Sequence, residues 1–146
     1  MMFSKSCEYA IKAVIHLCIE TRNGGRLGIT EIAEAIESPE AFTGKILQIL
    51  AKHEIISSAK GPNGGFFMNS NSKPIVVMDI VELIDGKHAF ERCGLGLKEC
   101  SEDYPCPIHK EFKSYSTRLK TLFEKKTIQD LAKEIAAGKA FLLNPS

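Results

Sequence analysis

The sequence predicts a mainly α chain that carries one small β-hairpin and ends in a long helix followed by a short one. Three observations lead there. Apolar residues recur at helical spacing through most of the chain, two short β-prone runs flank the turn Gly61-Pro62-Asn63-Gly64-Gly65, and a heptad seam steps through Ile108, Phe112, Tyr115, Leu119 and Leu122. With 146 residues, 44% hydrophobic and 25% charged, the composition is that of one compact unit with an appendage. It excludes wholesale disorder, collagen-like repeats and a multi-span membrane protein.

The first helix is expected where Tyr9, Ala10, Ala13, Val14 and Leu17 follow Ser4 and Ser6, either of which is placed to cap, and Asn23-Gly24-Gly25 ends the run. Thr30 is expected to cap a second, short helix carrying Ile32, Ala33 and Ile36. Ser38-Pro39 then opens a third over residues 39–52, whose expected buried face is Phe42, Ile46, Ile49 and Leu50. Residues 55–60 and Phe66-Phe67-Met68, joined by the Gly/Pro/Asn turn, make the hairpin. Met78, Ile80, Val81 and Ile84 form a further helix that Gly86 stops. Periodicity then vanishes over residues 87–107, a loop longer than a compact unit keeps without a purpose. Beyond the heptad helix, Thr127 with Asp130 at the capping-box distance begins a last short helix ending at Gly138. Two short helices followed by a helix-flanked hairpin is the order of a winged helix-turn-helix. The expected division is residues 1–86 as that unit, 87–109 as a cysteine-containing sensor loop, and 110–146 as a dimerisation helix with its short follower.

Formal net charge is only +1, so bulk charge gives no support to a nucleic-acid partner and the argument rests on placement. In a helix-turn-helix the second helix enters the major groove. Glu40, Ala41, Thr43 and Gly44 at its start are expected to face base edges, with Lys45 and Lys52 toward phosphate or solvent. The turn of Gly61, Pro62, Asn63, Gly64 and Gly65 has no bulky apolar side chain to bury, which lets backbone approach a phosphate or a minor groove with Lys60 beside it. The plain alternative is a small helical bundle with solvated lysines and a tight turn. Lys5, Glu8, Lys12 and Glu20 interrupt the N-terminal region, leaving no spanning segment and no signal peptide. The expectation is a cytoplasmic protein with reduced cysteines and no membrane partner.

Three cysteines stand in the loop: six residues separate Cys93 from Cys100, five separate Cys100 from Cys106, and His109 follows Cys106 by three. Thiolates suit iron-sulfur clusters, zinc or copper(I). Structural zinc usually takes cysteines in closer pairs than these, so spacing weighs against zinc. A metal-free thiol sensor or structural cysteines remain open. Cys7 and Cys18 read as small core residues of the first helix. His16, His53 and His88 are scattered singly. An enzyme using Cys106 and His109 as nucleophile and base would need oxyanion donors and a substrate signature, and neither accompanies the pair.

Glu8-Tyr9-Ala10, Ile32-Ala33-Glu34 with Lys45-Ile46-Leu47, Lys60-Gly61-Pro62-Asn63-Gly64-Gly65-Phe66, Asp79-Ile80-Val81 and the three-cysteine loop together resemble the IscR, NsrR and CymR group of bacterial winged-helix repressors, the Rrf-two family. The likeness covers nearly the whole chain. It departs at Thr43-Gly44, where Leu-Glu is common, at Lys60, usually arginine, and at Asn63, usually glycine, so no operator sequence carries over. The heptad seam is expected to pack on a second copy, the plain alternative being the chain's own core; with it, the resemblance implies a homodimeric transcription regulator, a repressor, on a palindromic double-stranded DNA operator. It further implies a two-iron or four-iron cluster on Cys93, Cys100 and Cys106 with a varying fourth ligand. His109 matches the Cys-x-x-His ending of IscR-like members, whereas Glu8 stands where NsrR-like members supply a carboxylate across the dimer. Ligand softness favours His109. The alternative within the group is a member without a cluster, governed by thiol oxidation, zinc or a protein partner.

Overall fold

The computed structural model describes residues 3–69, 73–97 and 101–143. Its elements in chain order are α1 (Lys5–Glu20), α2 (Ile29–Ala35), α3 (Glu40–Lys52), β1 (Ser57–Ala59), β2 (Gly65–Phe67), α4 (Val77–Asp85), α5 (His109–Lys125) and α6 (Ile128–Ala136). Helix α1 is the hub and packs against α2, α3, α4 and α6. Cys7, Ala10, Val14 and Leu17, spaced three, four and three, are all fully buried, and the small side chains of Ala10 and Ala13 allow close approach of neighbours on more than one side. Both ends of α1 are fastened. Ser4 Oγ accepts from the Cys7 N–H at 3.1 Å, while the Asp85 carboxylate at the end of α4 accepts from the Ser4 N–H at 2.9 Å and from its hydroxyl. At the other end the buried Thr21 hydroxyl donates to Leu17 O at 2.6 Å and accepts from the Met68 N–H at 2.9 Å, which ties the helix to the end of the hairpin.

Two local expectations are corrected in α2 and α3. Gly28, not Thr30, caps α2, and its N–H is taken by Glu31 Oε1 at 3.3 Å. Thr30 lies inside the helix and donates to Glu40 Oε1 at 2.8 Å, a bond between the two helices. On α3 the buried face is Thr43, Gly44, Ile46, Leu47 and Leu50. Phe42 and Ile49, expected in the core, are 37% and 42% exposed. They lie seven residues apart and so share a face, but that face is rotated away from the stripe that packs on α1 and α2.

The hairpin is antiparallel, pairing Ser57 with Phe67, Ser58 with Phe66 and Ala59 with Gly65. Leu27 adds a separate antiparallel bridge to β2: its N–H donates to Phe66 O at 3.0 Å and its carbonyl accepts from the Phe66 N–H at 2.7 Å. Gly65, at φ +146, has no room for a side chain, since a Cβ would stand 2.7 Å from Leu27 O.

Gly86 ends α4 at φ +89. The chain entering α4 pairs with the α5–α6 junction, Ile128 N–H to Ile75 O at 2.7 Å and Val77 N–H to Lys126 O at 2.9 Å. Thr127 and Asp130 form the expected capping box, and α6 turns back onto α1, burying Ile128 and Ala132. Helix α5 is different. Only His109 and Ser116 on it are buried, while Tyr115 and Leu122 of the heptad seam are 65% and 44% exposed. Among the described residues, no helix is long and apolar enough to cross a membrane.

Candidate nucleic-acid interface and cysteine loop

The outer face of α3 carries Glu40, Ala41, Phe42, Lys45, Gln48 and Ile49, all exposed. Thr43 and Gly44, expected at base edges, face inward instead. Thr43 is 1% exposed, its hydroxyl donating to Pro39 O at 2.8 Å and paired with the Ser38 hydroxyl. Gly44 faces α2, where a Cβ would meet Ile29 Cδ1 at an ordinary contact distance of 3.4 Å. Phe42, missed as an outward residue, stands edge-on to Tyr9 of α1 at 5.7 Å between centroids and 80° between planes. With Pro39, Ala41, Lys5 and Lys45, these rings line an open apolar hollow of about 450 Å³.

At the wing, Lys60, Gly61, Pro62 and Asn63 are exposed, and Gly64 and Gly65 are half-buried. The Gly64 N–H closes the turn on Gly61 O at 2.9 Å. A cation that motif spacing did not reveal joins them: Arg26 Nη1 donates to Asn63 O at 3.3 Å and the guanidinium lies 5.2 Å from the Phe67 ring centroid. Arg26 reaches the wing only because Leu27 pairs with β2. No local pattern around it announces that role.

The cysteine loop is anchored at its start. Phe90 packs against both Phe3 and Phe123, with centroids 5.7 and 5.9 Å away, and its carbonyl accepts from Ser116 Oγ at 2.8 Å. Farther on, the backbone N–H groups of Leu95, Leu97 and Gly96 converge on the Cys93 sulfur. The Leu95 and Leu97 donors chiefly, and the adjacent Cys106 thiol, hold the Cys93 thiol below its ordinary value of 9.0. Cys106 accepts the His109 N–H on its backbone oxygen at 3.0 Å. His109, the first residue of α5, is 8% exposed, with Nε2 3.6 Å from Glu102 Oε1. Lys113 pairs with the same carboxylate.

The structure therefore brings Cys93 and Cys106 together and sets His109 one turn beyond. Cys100 lies outside the described residues, and among those described no three His, Cys, Asp or Glu side chains are grouped to hold a metal ion. Glu8 sits in the first turn of α1, paired with Lys5 Nζ at 3.3 Å. The remaining thiols are of another kind. Burial first, then Asp85 and Glu8, push Cys7 up to about 12, and burial raises Cys18 against the opposing pull of Arg22.

Helices packed on a hairpin wing, with the outer face of the second helix of the helix-turn-helix open, define a winged-helix DNA-binding regulator. A sequence profile for Rrf2, described as iron-dependent transcriptional regulator, matches residues 3–134, and the chain belongs to that family. It is 34% identical over 134 residues to an HTH-type transcriptional regulator of Aquifex aeolicus, covering 90% of this chain and 91% of that one. In fold it is similar to CymR, the global cysteine regulator of B. subtilis, with a TM-score of 0.69 at 20% identity over 90% of this chain and 95% of that one. It is likewise similar to T. potens IscR, with a TM-score of 0.68 at 19% identity over 94% and 90%. The chain is a transcriptional regulator, as its relatives are, and not an enzyme.

Proposed function

We propose that the chain is a homodimeric repressor whose affinity for a palindromic operator is set by an iron-sulfur cluster on Cys93, Cys100, Cys106 and His109, with Glu8 the alternative fourth ligand. The observation that carries this reading is the setting of Cys93. Three backbone donors and a neighbouring thiol favour its thiolate, and the thiolate is the form that ligates. Donors directed at sulfur also suit cluster ligation. A cluster held there would supply a centre sensitive to redox state, nitric oxide or cluster supply.

The chain's own residues connect this loop to the reading face. Ser116 and Phe123 hold Phe90, Phe90 touches Phe3, and Phe3 leads into the α1 turn that bears Tyr9 against Phe42. A loop that changes shape thus has packed neighbours through which to shift α1. Tyr115 and Leu122, left uncovered on α5, suit a twofold pairing of two copies, which would present two α3 helices to two half-sites. On this reading residues 1–86 bind DNA, 87–109 sense and 110–146 pair the copies, with Lys60 and Arg26 on phosphates and Gly61 to Gly65 at close backbone approach.

Anaerobic purification tests it. Visible absorption with matching iron and sulfide is the expected result, lost in Cys93→Ala and altered in His109→Ala. A colourless protein holding one zinc per chain would overturn it, and a cluster unchanged in His109→Ala but lost in Glu8→Ala would reassign the fourth ligand. The Cys93–Cys106 contact supports a second, cluster-free reading: a hydroperoxide takes two electrons and two protons from the pair, leaving a disulfide, an alcohol and water. Peroxide-dependent operator release by colourless protein would favour it.

A further inference from the structure

DNA reading by α3 requires side chains that reach base edges, and the structure leaves an unusual set of them. Thr43 and Gly44 are buried, Thr43 with its hydroxyl on Pro39 O and Gly44 against Ile29 of α2, and Glu40 accepts from Thr30 at 2.8 Å. What remains outward in the first turn is Ala41 and Phe42. Phe42 is 37% exposed with its ring against Tyr9 at 5.7 Å, in a hollow that Lys45 and Lys5 also line, the latter shared with Glu8 at 3.3 Å. Apolar side chains with two lysines among them match a base edge flanked by phosphates.

We infer that Phe42, with Ala41 beside it, reads the C5-methyl groups of thymine in the major groove; the inference rests on the DNA-binding reading and specifies its chemistry. Thymine is the base that offers an apolar group there. A phenyl ring facing cytosine N4 or guanine O6 and N7 would strip water from polar atoms and return no hydrogen bond. Tyr9 is a positioning residue, limiting the ring to one orientation so that less freedom is lost on contact.

The test selects duplexes from a random pool with the full chain, then replaces each enriched thymine by uracil, which removes only the methyl. The expected result is enrichment of thymine at adjacent positions in each half-site, and binding about fourfold weaker for each contacted uracil, the effect of one buried methyl. Phe42→Ala should shrink the thymine-over-uracil difference at the position the ring contacts. A selected duplex whose affinity is indifferent to uracil at every position overturns the inference while leaving DNA binding intact. Failure to select any duplex overturns the DNA reading itself, and the inference falls with it.

Discussion

Gly94 lies so close to Phe112 that a Cβ on the glycine would stand 2.6 Å from Cδ2 and 2.8 Å from Cγ of the ring. Absence of a side chain lets the loop after Cys93 lie flat on α5, within reach of Cys106. Gly94→Ala should therefore displace either ring or loop, at about 1–3 kcal/mol for an overpacked site. The urea midpoint is expected to fall, and diamide-driven closure of the Cys93–Cys106 disulfide to slow. Phe112→Leu in the same chain should recover part of both. An unchanged midpoint and rate would show that the loop does not rest on this contact.

Thiol labelling in cluster-free protein should separate the cysteines. Iodoacetamide reacts with the thiolate, and the Cys93 thiol is lowered by its backbone donors, whereas Cys7 is pushed up to about 12. Mapped by mass spectrometry at neutral pH, Cys93 should label first, with Cys7 and Cys18 protected until the chain unfolds. The Cys93 rate should level off at lower pH in folded protein than in denatured protein, because its folded value is the lower of the two. Equal labelling of Cys7 and Cys93 would contradict the assignment.

Helix α5 offers a test of assembly that spares the core. Tyr115 and Leu122 are 65% and 44% exposed and lie outside the buried core, so Tyr115→Glu with Leu122→Glu removes little packing inside one chain. In a dimer the same change buries unpaired carboxylates, a loss of several kcal/mol. Sedimentation should show monomers with an unaltered helical signal. A persistent dimer would place the contact elsewhere.

At the wing, Arg26→Ala should weaken DNA binding by a similar factor on all sequences and reduce the slope of log affinity against log salt by about one. The guanidinium touches Asn63 O and the Phe67 ring, so a second arm measures stability, where the change should be within about 1 kcal/mol. A slope equal to wild type would remove Arg26 from the phosphate contacts.

Much of the architecture was legible residue by residue. Ser4, Gly86 and the Thr127–Asp130 box bound α1, α4 and α6 as their local chemistry predicts, because capping and helical periodicity operate within one or two turns of chain. The family pattern was readable for the same reason, being carried by short runs such as Lys60-Gly61-Pro62-Asn63-Gly64-Gly65-Phe66. The cysteines were legible as a cluster of residue types. Their geometry was not, since the contact of Cys93 with Cys106 depends on Gly94 meeting Phe112 and on Phe90 being held by α5.

Orientation needed the packed molecule. Phe42 and Leu50 are both apolar residues on α3, and periodicity alone does not say which stripe points inward. The close approach of Ile29 to Gly44 and the bond between Thr30 and Glu40 choose it, turning Thr43 in and Phe42 out. Arg26 joins the wing through a rung formed by Leu27 and Phe66, and Ile128 returns to α1 through its bond to Ile75. Each of these relations links residues far apart in the chain. An amphipathic stripe specifies that a face must be covered, whereas the partner that covers it is chosen by shape and hydrogen bonding among all the elements at once.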